Sequence, residues 1–320
     1  MIKHLDCRYL RAITDDAGVW QHAEKGGISP EHGYALDDSA RGLIAALNYG
    51  EERVAQSCLG FLERVCTKDG VVNFLDASCK PVDHPASYDA IGEAFWALGT
   101  CLEYGFEVVR ARALIALLLP QIKLFDGHLR ARAYTVLGLL KIEPKIAYSL
   151  SQELYETYLH VGTSDWPWPE TSLRYANAIL PLALLRAGTA FSEPTWVEAG
   201  RTMLTFLNSA TKKDGVPIAI GNKGWFLRGG ECALYDQQPI DPAYQVLANV
   251  EAGLFDEAEI YLSWFWGNNL LGLPLIDEKD GSCRDGLHAE GVSENHGSEN
   301  IVCYLIAQRA YEMVTSSIRE

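Results

Sequence analysis

The 320-residue sequence is short of basic residues and has no long hydrophobic run, and each shortage excludes a class of protein. Lys and Arg number 27 against 42 Asp and Glu, which gives a net charge of −15. Nucleic acids and anionic membrane surfaces attract clustered basic side chains, so we expect neither as a partner. The most apolar stretch, residues 113–120, is much shorter than the roughly 20 residues that a transmembrane helix needs.

Motifs for metal ions and cofactors are also lacking. The eight cysteines form no CxxC pair and have no zinc-ligand spacing with histidine. The sequence contains no EF-hand loop, HExxH, phosphate-binding GxxxxGK[ST] or GxSxG motif, and no GxGxxG follows a strand. We therefore expect no metal and no cofactor. The polar N-terminus MIKHLDCRYL is not a signal peptide, which favours a cytoplasmic protein with reduced thiols.

Helical periodicity is present, and the predicted helices come in pairs. Residues 52–65 are amphipathic, whereas residues 178–185 are apolar nearly all round. Alternation of buried and amphipathic helices indicates an inner ring wrapped by an outer ring. The sequence thus predicts an all-α fold, an (α/α)6 toroid of about six helical hairpins, as a single domain over residues 1–320. The predicted helices cover residues 2–13, 40–47, 52–65, 88–102, 107–119, 129–141, 145–159, 172–186, 195–208, 241–251, 256–267 and 295–313, and the first and last form the sixth pair.

A weak internal repeat places acidic residues at one end of this ring. Lys-Asp-Gly occurs at residues 68–70, 213–215 and 279–281, and Asp-Gly favours a tight hairpin turn. Each copy leads to an acidic residue near the next inner helix. The Asp-Gly turns predict short β-hairpin loops, and the position of these loops before inner helices predicts that they lie on one face of the ring. That face would collect an acidic pit consisting of Asp15, Asp16, Asp37, Asp38, Asp89, Asp236, Asp285 and Glu299.

Residues 13–41 are the densest polar segment of the chain. Two acidic pairs occur there together with Gln21, His22, Tyr34 and Arg41, and few apolar residues interrupt them. The alternative to a functional site is that Asp37, Asp38 or Ser39 caps the following helix. Capping needs only one residue, however, so we predict a functional segment.

Three further clusters combine aromatic and polar side chains. Trp166 and Trp168 flank a proline, and Tyr175 and Asn177 follow them. Such aromatics suit the apolar faces of sugar rings, although both tryptophans could instead plug the mouth of the toroid. The other two clusters contain Trp225, Asp236 and Gln237, and Asp285, Asn295 and Glu299. Asp236 as a helix cap and Glu299 as part of a capping box are the structural alternatives.

Several of these motifs resemble a known family. TDDAGVWQHA (residues 14–23), GYALDDSAR (33–41), WPWPETSLRYANAILPLALLRAG (166–188), GNKGW with YDQQP, and the closing LPLIDEKDGSCRDGLHAEGVSENHGSEN are similar to bacterial six-hairpin glycosidase-like (α/α)6 toroids. Those proteins occur alone or fused to glycosyltransferase domains. The resemblance covers nearly the whole chain and implies a sugar-related role, with a glycosyltransferase as a possible partner.

The chain departs from that family's pattern in two places. The family has Asp-Asn-Ala-Arg where this sequence has DSAR at residues 38–41 and ANAI at residues 176–179. The second segment therefore lacks both the acid and the arginine that the family carries there.

Three functions are compatible with these observations. The first is a glycoside hydrolase, or a related lyase or phosphorylase, that acts on an oligosaccharide or polysaccharide fragment with Asp38 and Asp236 or Glu299 as the acid/base pair. The second is a sugar epimerase or isomerase that uses a histidine base, and the third is a non-catalytic glycan-binding module. The residues expected to bind sugar are Asp16, Gln21, His22, Tyr34, Asp37, Arg41, Asp89, Trp166, Trp168, Tyr175, Asn177, Trp225, Gln237, Asp285 and Asn295.

Overall fold

The computed structural model describes residues 2–24, 27–82 and 86–319, except the side chains of residues 317–319. Within these ranges the chain forms twelve α-helices, none of which is long and apolar enough to cross a membrane. They are α1 Arg8–Ala12, α2 Leu36–Tyr49, α3 Glu52–Val65, α4 Tyr88–Tyr104, α5 Val108–Leu118, α6 Leu129–Leu139, α7 Pro144–Val161, α8 Ile179–Phe191, α9 Pro194–Ala210, α10 Ile240–Glu251, α11 Phe255–Trp264 and α12 Ser298–Arg319.

The even-numbered helices form a closed inner ring. Each of them contacts the next, and α12 contacts α2 to close the circle. The odd-numbered helices pack outside, each against its hairpin partner, and α1 packs against α12. The predicted (α/α)6 toroid is therefore confirmed, with the two ends of the chain forming the sixth hairpin.

Short antiparallel strand pairs occupy one face of the toroid. They lie before α2 and in the long connections that lead from an outer helix to the next inner helix, whereas connections from inner to outer helices are only two to four residues long. The predicted loops thus surround the N-terminal ends of the inner helices. The pairs are β1 Ala23–Glu24 with β2 Gly27–Ile28, β3 Tyr34–Ala35 with β6 Phe74–Leu75, β4 Cys66–Thr67 with β5 Gly70–Val71, β7 Ser172–Leu173 with β10 Phe226–Leu227, β8 Lys212–Lys213 with β9 Val216–Pro217, β11 Ile276–Asp277 with β12 Ser282–Cys283, and β13 Leu287–His288 with β14 Gly291–Val292.

Several helix boundaries differ from the prediction; α2, for example, begins at Leu36 rather than at residue 40, so Asp37, Asp38 and Ser39 lie inside it and do not cap it. The helix expected at residue 172 begins at Ile179, because a turn held by Asn177 precedes it: the Asn177 side chain bonds both the backbone N–H and the carbonyl of Arg174. The N-terminal helix is short because the chain before it runs along α12, where the Gln308 amide bonds the N–H and the carbonyl of Leu5. The last helix begins at Ser298 rather than at residue 295.

Two glycines allow close contact between the inner helices α4 and α6. A Cβ on Gly138 would lie 2.1 Å from the carbonyl oxygen of Phe95, and one on Gly99 would lie 2.2 Å from that of Gly138. The backbone atoms in these contacts can move apart only if a whole helix moves. The distance between α4 and α6 therefore depends on both glycines.

We expect Gly138→Ala to lower the free energy of unfolding by about 2–3 kcal/mol, because the methyl group forces α4 and α6 apart. Urea denaturation followed by circular dichroism measures the change. The matched control is Gly60→Ala in α3, where a Cβ meets no atom within 4 Å. That substitution should raise stability by about 0.5–1 kcal/mol through helix propensity. Equal stabilities of the two variants would contradict this account of the packing.

Candidate active site

One buried arginine gathers carboxyl groups from three neighbouring inner helices. Arg41, in the second turn of α2, donates to Glu93 of α4 at 3.0 Å, to Asp38 at 3.1 Å and to Asp37 at 3.2 Å. Its Nη2 also lies 4.0 Å from Oε1 of Glu299 on α12. Asp37 and Arg41 are one helical turn apart and so lie on the same face. The helix sequence and the ring topology together place this cluster at the axis.

The cluster contains more carboxyl groups than one cation can neutralise. The pKa of Asp38 is raised to about 8, mainly by burial and then by the neighbouring charge of Asp37, while Arg41 opposes the rise. Burial also raises the pKa values of Glu93 and Glu299, again against Arg41. A raised pKa favours the protonated form of a carboxyl group, which is the form that a general acid needs.

The cluster opens into a small space that we call the axial cavity, about 160 Å³ in volume. The side chains of Asp37 and Glu299 are 35% and 31% exposed, whereas that of Asp38 is only 4% exposed. Asp37 and Glu299 therefore offer carboxyl groups to a ligand. The cavity is lined by Asp37, Arg41, Ser87, Asp89, Ala90, Glu93, Tyr134, Tyr175, Gln238, Ile240 and Glu299.

Tyr175 forms another part of the wall of the axial cavity. Its hydroxyl donates to Asp89 at 2.6 Å, the Arg130 guanidinium lies 4.8 Å from its ring centroid, and Trp225 lies 6.1 Å away. Asp89 and Tyr175 also line a wider neighbouring cavity of about 520 Å³, which includes Tyr88. The Tyr175–Asp89 pair thus stands between the axial cavity and a space large enough for further sugar units.

Asn177 belongs to a second buried network. Arg130 donates to Glu170 at 2.9 Å, to the Tyr175 carbonyl at 2.6 Å and to the Asn177 side chain at 3.3 Å. The side-chain and backbone N–H groups of Asn177 in turn donate to Asp241, at 3.2 and 3.3 Å. Burial raises the pKa of Asp241 to about 7. This network fixes the loop that carries Tyr175 to the axial cavity.

Asp236 and Gln237 lie in a loop cluster with different partners. Asp236 pairs with His288 at 2.6 Å and with Lys223 at 3.2 Å, and the hydrogen bond with His288 is the main cause that lowers the pKa of Asp236. Gln237 is fully buried and accepts a hydrogen bond from the Trp264 indole. Gln238, the next residue, lines the axial cavity.

Trp166 and Trp168 are buried and belong to an aromatic cluster. Trp166 packs edge-to-face on Phe206 and on Phe226, with ring centroids 5.0 and 5.3 Å apart, and its indole donates to the Glu170 carbonyl. Trp168 is fully buried. These contacts favour the structural alternative for both tryptophans. Trp225, in contrast, is half-buried beside Tyr175.

The polar segment before α2 divides into a structural part and a part near the site. Asp15 accepts the Tyr34 hydroxyl at 2.7 Å, Tyr34 is buried, and Asp16 is exposed. The first acidic pair therefore shapes a turn. The Gln21 carbonyl, further along, accepts from the N–H of Ser298 at 3.2 Å and so holds the start of α12 beside the axial cavity.

His22 lies at the edge of the site. Its ring stacks on His32 at 4.2 Å, and burial followed by the charge of His32 lowers the pKa of His22. The charge of Asp285 raises the pKa values of both His22 and Glu299. Asn295 accepts the N–H of Ala23 at 3.2 Å and braces the same loops.

Four residues of these networks are not indicated by the sequence motifs: Glu93, Tyr134, Arg130 and Asp241. All four are buried, and they lie on the inner helices α4, α6 and α10. For Glu93, Arg130 and Asp241 the signal is a charged residue among the apolar residues of an inner helix, because such a residue needs a buried partner; Tyr134 is uncharged and gives no such signal. Within the described ranges, no group of His, Cys, Asp and Glu side chains is arranged to hold a metal ion.

Comparison with known proteins supports the fold at low sequence identity. No family model matches the sequence, and no curated protein matches it. A D-mannose isomerase superposes with a TM-score of 0.73 and 14% identity, over 97% of this chain and 95% of that one. A sugar epimerase from a ruminal bacterium gives 0.71 and 13% over 95% and 94%, and a glycosidase in complex with glucose gives 0.66 and 12% over 95% and 94%. The chain thus shares the toroid fold with these three proteins.

Proposed function

We propose that the protein is a carbohydrate-active enzyme that hydrolyses a glycosidic bond at the axial cavity. The observation that carries this proposal is the carboxyl cluster around Arg41, from which Asp37 and Glu299 reach the cavity. Glycoside hydrolysis needs one carboxylic acid and one carboxylate on either side of the bond. The shared fold with a glycosidase is compatible with this assignment.

In this proposal Glu299 is the general acid. Burial raises its pKa, which favours the protonated form, and it donates that proton to the glycosidic oxygen as the bond to the anomeric carbon breaks. Asp37 accepts a proton from the water that attacks the anomeric carbon, or attacks that carbon itself. Oδ2 of Asp37 and Oε1 of Glu299 lie 3.2 and 4.0 Å from the same Arg41 nitrogen, so their separation cannot exceed the sum of these distances. That limit admits both inverting and retaining geometries.

The other axial side chains bind or position. Asp89, Tyr175 and Gln238 offer hydrogen bonds to sugar hydroxyls, and Trp225 extends the aromatic wall at Tyr175. Asp38 is shielded from the cavity and acts through Arg41, so we assign it a positioning role. Asp236, held by His288 and Lys223, is better placed to organise the loops than to share the reaction with Glu299.

A sugar isomerase or epimerase is the second candidate. The D-mannose isomerase and the sugar epimerase share the fold, and one feature of this chain favours the same chemistry. His22 has a lowered pKa and is therefore neutral at pH 7, as a base that removes a proton from a sugar carbon must be.

A single experiment separates these functions. Purified protein is incubated in D₂O with a panel of oligosaccharides and monosaccharides, and the products are followed by proton NMR and mass spectrometry. New reducing-end anomeric signals would support hydrolysis, and the first anomer formed would distinguish inversion from retention. Deuterium at a sugar carbon without cleavage would support the isomerase. Binding without either product would indicate a glycan-binding module, for which a glycosyltransferase partner should then be sought.

A further inference from the structure

The axis of the toroid is closed below the axial cavity by aromatic side chains that meet across the ring. Trp96 of α4 and Tyr244 of α10 lie on inner helices that face each other across the ring, and their ring centroids are 5.9 Å apart. Tyr134 of α6 packs against both, with its centroid 6.0 Å from each. Opposite helices of a ring can exchange such contacts only where side chains fill the axis. The axial cavity is therefore a pocket with a floor rather than a channel through the toroid.

Burial increases from the mouth of this pocket to its floor. Asp89, Glu93 and Trp96 follow one another on one face of α4, because their spacings are four and three residues. Trp96 lies about 10 Å, or two helical turns, deeper than Asp89. Glu93 and Tyr134 are buried in the pocket lining, whereas Tyr175 is 36% exposed. A ligand therefore enters from the face that carries the loops and stops at Tyr134.

The wider neighbouring cavity adjoins the pocket near its mouth. The two cavities share Ser87, Asp89 and Tyr175 in their linings, and their volumes are about 520 and 160 Å³. Tyr88, in the lining of the wider cavity, packs edge-to-face on His128 with ring centroids 4.4 Å apart. This contact holds an aromatic ring where the apolar face of a sugar could pack on it. A small closed space thus adjoins a larger one with an aromatic wall.

We propose that the enzyme acts on a chain end, with the terminal sugar of an oligosaccharide in the axial cavity and the following units in the wider cavity. This inference deepens the proposed function and rests on it for the site of cleavage. An internal unit is bonded to neighbours on two sides and would need a second exit, which the floor denies it. Because Asp37 and Glu299 line the axial cavity, the bond that is cleaved is the first linkage of the chain.

Each turnover then releases one monosaccharide. One water molecule is consumed for each linkage: its hydroxyl group bonds to the anomeric carbon, and its proton balances the one that Glu299 gives to the departing oxygen. No other reactant is needed.

Blocking the ends of the substrate tests this inference. The oligosaccharide identified by the screen is prepared in four forms: unmodified, labelled with 2-aminobenzamide at the reducing end, blocked by a 4,6-acetal at the non-reducing end, and carrying both modifications. Mass spectrometry of early time points should show only the monosaccharide and chains shortened by one unit. We expect one of the two single modifications to abolish cleavage and the other to leave it unchanged, which identifies the end that enters the pocket.

A pair of variants on α4 tests the role of the wider cavity. Tyr88→Leu should raise KM for the unmodified chain about fivefold to tenfold with little change in kcat, because an aromatic contact with the sugar is lost. Tyr104→Leu is the matched control, since Tyr104 is the last residue of the same helix and is 50% exposed. It should leave KM unchanged. Equal KM values for the two variants would overturn the placement of the chain in the wider cavity.

The outcomes separate this inference from the hydrolase proposal. Cleavage of the doubly modified chain as fast as of the unmodified one, or early products of all lengths, would overturn recognition of the chain end and leave the hydrolase intact. If no form is cleaved, the hydrolase is rejected and isothermal titration calorimetry decides the rest. Loss of binding on one single modification would then support recognition of the end, and equal binding of the doubly modified chain would overturn it. No binding of any chain in the panel would reject both.

Discussion

Replacing Arg41 with methionine is expected to lower the free energy of unfolding by about 3–5 kcal/mol at neutral pH, because it removes one partner of a buried ionic network. Arg41 is 2% exposed and bonds three carboxyl groups from two helices. Methionine fills a similar volume but supplies neither the charge nor the donors. The loss should appear in urea denaturation as a lower midpoint with an unchanged slope.

The size of this loss should depend on pH. Arg41 lowers the pKa values of Asp38, Glu93 and Glu299, so its removal raises all three further. A group with a raised pKa in the fold contributes stability below its unfolded pKa, about 4 for a carboxyl, and this stability is lost as pH rises through the folded pKa. For Asp38 in the wild type the folded value is about 8. Below these folded pKa values the carboxyl groups are protonated in the fold of both proteins, so the deficit of Arg41→Met should be nearly constant there and grow as pH rises through them, for Asp38 from about pH 8 upward.

The control for Arg41→Met is Arg132→Met on α6. Arg132 pairs with Asp126 and Glu153, whose side chains are exposed, at 3.3 Å each. Pairs of this kind contribute at most about 1 kcal/mol, so the control should differ little from the wild type and show no comparable pH dependence. A loss for Arg41→Met no larger than that of the control would show that the axial network does not stabilise the fold.

The toroid was readable from the sequence because its signal is local. An apolar helix followed by an amphipathic one predicts that the first helix of a hairpin is buried on all sides and the second faces solvent. Five such pairs are enough to indicate a ring. The boundary of α8 was not readable in the same way. The apolar pattern continues through residues 178–185, but the turn set by Asn177 and the positive φ of Ala176 delay the helix to Ile179.

The candidate site was only partly readable, because its partners are far apart in sequence. Asp37, Arg41, Asp89, Tyr175 and Glu299 were selected for their residue types and positions, and the structure brings all five to the axial cavity. The contact between Arg41 and Glu93, in contrast, joins two helices whose relative rotation no local pattern specifies. Trp166 and Trp168 differ from the prediction for the same reason. Their loop motif is typical of exposed aromatic side chains, but a helix and a strand that are distant in sequence bury both of them.

Replacing Glu299 with glutamine should lower kcat by about 10²–10⁴-fold on the oligosaccharide found in the screen, because glutamine keeps the shape of the side chain but cannot donate the proton. KM should change little. In the wild type the rate should fall as pH rises through the raised pKa of Glu299, since only the protonated form is active. That basic limb should be absent from the variant.

Two comparisons make the assignment of Glu299 specific. An aryl glycoside with a good leaving group should restore most of the rate of Glu299→Gln, because its departure needs no proton; a merely structural defect would not be rescued in this way. Asp236→Asn alters the loop cluster with His288 and Lys223 and should reduce kcat far less. If Asp236→Asn were instead the more damaging variant, with rescue by the aryl glycoside, the general acid would be Asp236. The reaction would then lie at the loop cluster, and the carboxyl groups around Arg41 would serve to hold the inner ring together.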